Sequence, residues 1–170
     1  MSLDVLDVIG GKILIAGARQ FACAIGKGGL SAQKVEGDGA TPIGRFALRR
    51  GFWRADRLER PVCPLTMTAI DSSMGWCDDP KDSAYNRQVA LPYAARHEVM
   101  QREDQLYDVV IVLGHNDDPV IPGAGSAVFL HVAKPDYAPT EGCVALALAD
   151  LLSVLPDCDT ETALVIHPAE

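Results

Sequence analysis

Apolar residues recur at helical spacing in one stretch of this chain, at Leu148, Leu151, Leu152 and Leu155, and Pro156 stops it. Elsewhere the apolar runs are short and are closed off by glycine and proline, which number 15 and 11. Such punctuation argues against a helical bundle and predicts a mainly β domain, a sandwich or barrel with one or a few short helices. Strands are expected at 3–9, 12–16 and 20–25, with Gly10-Gly11 as a hairpin turn and Gly17 in the turn after it. A glycine-rich loop or extended segment follows over 26–44, then a strand at 46–49. Residues 50–105, with Pro61, Pro64, Pro80 and Pro92, read as a long, mostly irregular insertion with short strands. Val/Ile content predicts a strand at 108–113. Alternation predicts another at 126–132, with Ala127, Phe129 and His131 on one face. A loop rich in Asp, Pro and Gly separates the two, and 162–167 closes the chain as a final strand.

The 170 residues are expected to form one domain, 1–170, and a hydrophobic content of 48% is enough for a core. A net charge of −8 argues against nucleic acid and anionic membrane surfaces as partners. An aromatic content of 6% leaves little for base stacking. No run approaches the roughly 20 apolar residues of a transmembrane helix. Asp4 and Asp7 stand where a secretory signal carries lysine or arginine, so no signal peptide and no membrane span are expected. The five cysteines (23, 63, 77, 143, 158) show no C-x-x-C spacing. They fit a reducing, cytoplasmic setting if the chain as given is complete, and a monomer with at least one unpaired thiol.

The stretch richest in chemistry is Phe129-Leu-His131-Val-Ala-Lys-Pro-Asp-Tyr-Ala-Pro-Thr140-Glu-Gly-Cys143-Val. A thiol attacks carbonyls as thiolate, so it needs a base or cation nearby. His131 ends a predicted strand twelve positions before Cys143, and a loop of that length can return imidazole to sulfur. Gly142 lets the backbone approach a substrate closely. The amides of Gly142 and Cys143 are candidate donors to the oxygen of a tetrahedral intermediate. The helix a few residues later would bring its positive end to the sulfur if it packs there. From residue types and spacing alone, a buried cysteine acting as a small hydrophobe fits as well, and nothing separates Cys143 from Cys23 or Cys158.

This segment resembles the signature of the L,D-transpeptidase catalytic domain family (YkuD, ErfK/YbiS-like). That signature has a histidine at a strand end, a variable loop, Ser/Thr-His-Gly-Cys and a short apolar step. His131, Thr140, Gly142 and Cys143 match it. A second patch, Gly37-Asp38-Gly39-Ala40-Thr41-Pro42-Ile43-Gly44-Arg45-Phe46, resembles the family's Thr-Pro-x-Gly-x-Phe stretch. The likeness runs over roughly 4–168 and is loose across 50–105. Glu141 stands where the family usually has histidine, and Ala145 where it has arginine or asparagine. The loop from histidine to cysteine is shorter than is common. A carboxylate at Glu141 would raise the thiol pKa, face the substrate or hold His131.

The resemblance implies Cys143 as nucleophile and His131 as base in acyl transfer on peptidoglycan stem peptides. It implies no metal or organic cofactor, and a cell-envelope or periplasmic setting. The alternatives are an L,D-carboxypeptidase or other thiol hydrolase on cell-wall peptides, and a non-catalytic module binding peptide or peptidoglycan. A zinc site from His115, Asp117, His131 and Cys143 fits the ligand chemistry but no zinc spacing. His115, just beyond a strong strand, is a substrate-binding candidate or a solvated loop residue. Lys134 and Tyr137, in the loop before Cys143, are candidates to help the thiolate or to touch substrate. Arg45, Arg49, Arg50, Arg54, Arg57 and Arg60, six of the ten arginines, fall within sixteen residues. They can grip carboxylates of a peptide or pair with Asp56 and Glu59 on a solvated face. Trp53 and Trp76 cover a cleft or fill core.

Overall fold

The computed structural model describes residues 2–170, and Met1 lies outside them. Fourteen strands and one α-helix follow one another among these residues. The first three are β1 (Val5–Ile9), β2 (Ile13–Ala16) and β3 (Arg19–Ala24), an antiparallel meander. Gly10 and Gly11 at φ 61° and 66° make its first turn, a conformation that side chains with a Cβ resist. β4 (Leu30–Ser31) pairs with β5 (Thr41–Pro42), and the ten-residue β6 (Gly44–Trp53) follows. Next come β7 (Met67–Ala69), β8 (Met74–Cys77), β9 (Gln88–Ala90) and β10 (His97–Val99). The last strands are β11 (Val109–Leu113), β12 (Phe129–Val132), β13 (Val144–Leu146) and β14 (Ala163–Ile166). The helix α1 (Leu148–Val154) precedes β14, and a 3-10 turn holding Pro156 ends it.

The large sheet runs β11-β12-β13-β3-β2-β1-β14-β6-β7, and β11 also pairs with β6. The sheet therefore closes on itself as a barrel. The length of β6 makes closure possible. Its first half pairs with β14 and its second half with β11. β8 carries β9 and β10 on its two sides as a separate three-stranded sheet within the 50–105 segment.

Two apolar clusters divide at the barrel wall. The strand period of two sends Val109, Ile111 and Leu113 of β11 into one cluster and Val110 and Val112 into the other. The first cluster fills the barrel with residues such as Leu6, Leu14, Leu48, Leu130, Leu146 and Leu164, and α1 adds Leu151. Each such side chain, fully buried, stabilises the fold by about 1.5–3 kcal/mol. The second lies on the outer face and joins Phe52, Val110, Phe129 and Cys143 to Trp76, Met100 and Tyr107 of the covering segment. All five cysteines are free and buried.

The mainly β, barrel-like expectation holds, with three local differences. β6 continues well past the expected 46–49. The expected strand over 126–132 begins at Phe129, because Ala127 sits at φ 53°. Cys143 is followed by strand β13 before the helix starts. Those three extended residues advance the chain about 10 Å, and α1 then packs against the barrel core. The positive end of the helix is therefore not delivered to the sulfur.

Candidate active site

β12 and β13 run parallel, with His131 opposite Ala145 and Leu130 opposite Val144. Cys143, one residue before β13, thus falls beside Phe129, and its thiol shares the outer face with His131. Both line one cavity of about 360 Å³ on that face. The two strands, not the intervening loop, fix the spacing of imidazole and sulfur.

The cysteine turn is tied down by the glycine-rich segment. The Thr41 hydroxyl donates to the Gly142 carbonyl at 2.9 Å and accepts from the Gly26 amide at 2.8 Å. The Thr140 hydroxyl donates to the Cys143 carbonyl at 2.7 Å, and the Gly142 amide donates to that hydroxyl at 3.1 Å. Gly142 has φ 140°, and a Cβ there would lie 3.0 Å from the Ala40 carbonyl oxygen. The two sequence patches about a hundred residues apart therefore meet as one packed unit.

At rest the Cys143 thiol donates to the Ala127 carbonyl at 3.2 Å, and the Phe129 amide donates to the sulfur at 3.4 Å. The His131 Nδ1 donates to the Val132 carbonyl at 2.9 Å, which assigns the proton to Nδ1 and leaves Nε2 as the basic atom. The imidazole stacks edge-on against Tyr107, ring centroids 5.5 Å apart. Burial pushes the thiol pKa up to about 12 and the imidazole down to about 4. Both groups are neutral near pH 7 in this arrangement.

Several residues of the cavity escaped sequence reasoning. Lys34, its side chain 6% exposed, pairs with Asp38 at 2.9 Å and favours the thiolate. Its Nζ would lie 3.3 Å from a Cβ built on Gly142. Glu98 accepts from the Tyr107 hydroxyl at 3.0 Å, and burial raises its pKa to about 7. Arg102 lies over the Tyr107 ring at 5.2 Å. Glu36 accepts from Tyr85 at 2.8 Å and from Ser126 at 2.6 Å, fastening the glycine-rich segment to the loop before β12. A cation 109 residues before the cysteine and an acid in a short strand carry no local motif. Only the GDG turn at 37–39, where Asp38 caps Val35 and Ala40, hinted that this segment is ordered.

The other candidates are dispersed. Glu141 also lines the cavity, but its carboxylate is 84% exposed and pairs with Lys27 at 2.8 Å. Lys134 lines the cavity from the loop. Tyr137, at φ 55°, is half-buried in that loop and is not among the lining residues. His115 packs edge-on against Phe46 and its Nε2 meets the Ala124 carbonyl at 3.0 Å, outside the cavity. Arg45 is exposed on β6, opposite Val165. Asp117 binds Arg49. Among the described residues no three His, Cys, Asp or Glu side chains gather in a metal-binding group.

A closed β-barrel whose neighbouring parallel strands bring a thiol and an imidazole to one cavity defines the class, a mainly β, barrel-like domain. The sequence model of the L,D-transpeptidase catalytic domain, YkuD, matches residues 8–166, and the chain belongs to that family. A search of curated proteins gave no match. Members of the family are L,D-transpeptidases acting on peptidoglycan peptides. No helix among the described residues is long and apolar enough to cross a membrane.

Proposed function

We propose that this chain is a cysteine acyltransferase acting on peptidoglycan stem peptides in the cell envelope, with Cys143 as nucleophile and His131 as base. The observation that carries the reading is the sharing of one cavity by Cys143 and His131, held in register by β12 and β13. The sulfur attacks the amide carbonyl between the third and fourth stem residues. His131 Nε2 takes the thiol proton and returns it to the leaving amine, so D-alanine departs and a thioester remains. An amine of a second stem, or water, then attacks the thioester. His131 takes the proton of that nucleophile and the thiol is restored.

Because both groups rest neutral, proton transfer accompanies attack instead of preceding it. The thiol leaves its hydrogen bond to Ala127 as substrate enters, and Lys34 stabilises charge on sulfur. The Gly142 amide is engaged within its own turn, which leaves the Cys143 amide as the oxyanion donor of this turn.

The test is intact-mass measurement after treatment with a carbapenem, an amide mimic that acylates thiols of this chemistry. A stoichiometric adduct on the wild type, lost in Cys143→Ala and slowed in His131→Ala, is expected. No adduct on a folded protein would remove the catalytic reading. The buried, hydrogen-bonded thiol would then favour a non-catalytic module that binds the same peptides.

A further inference from the structure

The arginine cluster of 45–60 divides in the fold. Arg54 pairs with Asp56 at 2.8 Å, Arg57 with Asp108 at 2.7 Å and Arg49 with Asp117 at 3.0 Å. Arg50 is different. It is half-buried and, among the described residues, pairs with no carboxylate. Its Nη1 donates to Gln88 Oε1 at 3.0 Å, and its guanidinium lies 4.9 Å from the Phe52 ring and 5.9 Å from the Trp76 ring. Burial lowers its pKa from the ordinary arginine value. A partly desolvated cation with no counter-charge is costly, and a bound anion would offset that cost.

The backbone aims Arg50 deliberately. Val112 of β11 lies opposite Arg50, but the next residue, Leu113, lies opposite Leu48. Arg49 is the extra residue of a β-bulge. Neighbouring strand residues ordinarily point to opposite faces, and bulges re-aim them. Here Arg49 and Arg50 line the same cavity of about 670 Å³, joined by Arg87. Met74, Ala90 and the edge of Trp76 supply apolar wall, and Asp117, already bound to Arg49, is the one carboxylate of the lining. Three arginines thus line one cavity in a chain whose net charge is −8. The cavity lies between the barrel wall and the covering strands β8 and β9. It shares only Val128 with the cavity of Cys143 and His131.

We propose that this second cavity binds a small carboxylic acid with an apolar body. The carboxylate sits on Arg50 and Arg87, and the body rests against Met74 and Ala90, with the edge of Trp76 beneath. A planar carboxylate suits the guanidinium fork, and the apolar part of the lining favours a hydrocarbon body over a bare inorganic anion. The proposal stands apart from the catalytic reading, since neither Cys143 nor His131 lines this cavity.

The test is calorimetric titration of the whole protein with sodium benzoate, with benzamide as the uncharged match and inorganic phosphate as the bare anion. Benzoate is expected to bind saturably at one site and more tightly than either control. Arg50→Gln should weaken it about tenfold or more, the effect of losing a charged hydrogen-bond partner. Arg87→Gln, at an exposed position that does not threaten folding, should weaken it several-fold. Cys143→Ala should leave it unchanged. Benzoate uptake untouched by Arg87→Gln and by folded Arg50→Gln would overturn the proposal. So would equal binding of benzamide or phosphate, or loss of benzoate binding in Cys143→Ala.

Discussion

Burial acts in opposite directions on the two partners of the candidate site, and the consequences can be measured. The Cys143 thiol, pushed up to about 12, should alkylate with iodoacetamide at a rate that still climbs between pH 8 and 10. A plateau below pH 8 would mean that a thiolate exists at rest. His131, lowered to about 4 from an unfolded value near 6.5, is held neutral by the fold. Its contribution is complete above pH 6.5 and is lost as pH falls to 4, about 3 kcal/mol in all. Glu98, raised to about 7, works the other way. Its contribution is complete below its unfolded value, near 4.5, and is lost as pH rises to 7. The two slopes oppose each other between pH 4.5 and 6.5 and nearly cancel, leaving in that window the slope of His115, which burial also holds below its ordinary value. Glu98→Gln removes one slope, and denaturant titrations should then show stability rising steeply with pH over that window. A variant no steeper than the wild type would refute the opposition. Thr41, fully buried, bridges Gly26 and Gly142. Thr41→Val should cost about 1–3 kcal/mol in denaturant titration and slow acylation of Cys143.

Among the elements, β12 carries the most consequence, because it holds His131 outward and Leu130 inward. Leu130→Ala should destabilise by about 2–5 kcal/mol in chemical denaturation. A smaller loss would mean that the barrel wall closes over the gap. The strands that were legible in sequence are those whose two faces differ or whose residues are nearly all apolar, such as 3–9 and 108–113. β13 was not legible, since Val144-Ala145-Leu146 is three residues long and runs directly into the helix pattern. The far half of β6 was hidden by its bulge, which puts two arginines in succession and breaks the alternation a strand should show. Spacing allowed a loop to return His131 to Cys143, and the resemblance singled out this cysteine, but the parallel register that brings both to one cavity leaves no trace in sequence. Lys34 and Glu98 were invisible because tertiary folding alone brings them to the thiol.

For the molecule as a whole, closure depends on its two ends. β14 lies between β1, which it meets in parallel, and β6. Ending the chain before Ala163 would strip both of a neighbour and expose the barrel core. Circular dichroism of such a truncation should lose the cooperative thermal transition. A retained sharp transition would show that β1 and β6 can close directly.

The anchoring of sulfur and imidazole at adjacent strands, with Thr140 and Gly142 securing the cysteine turn, leaves residues 134–138 free of the task of aligning them. Closing a longer loop costs little, about 0.6 kcal/mol for each doubling of length. Insertions around Pro135 and Asp136, both exposed, can therefore accumulate without disturbing the pair beneath. What overhangs the cavity can diversify on a chassis that keeps the thiol and the imidazole in place.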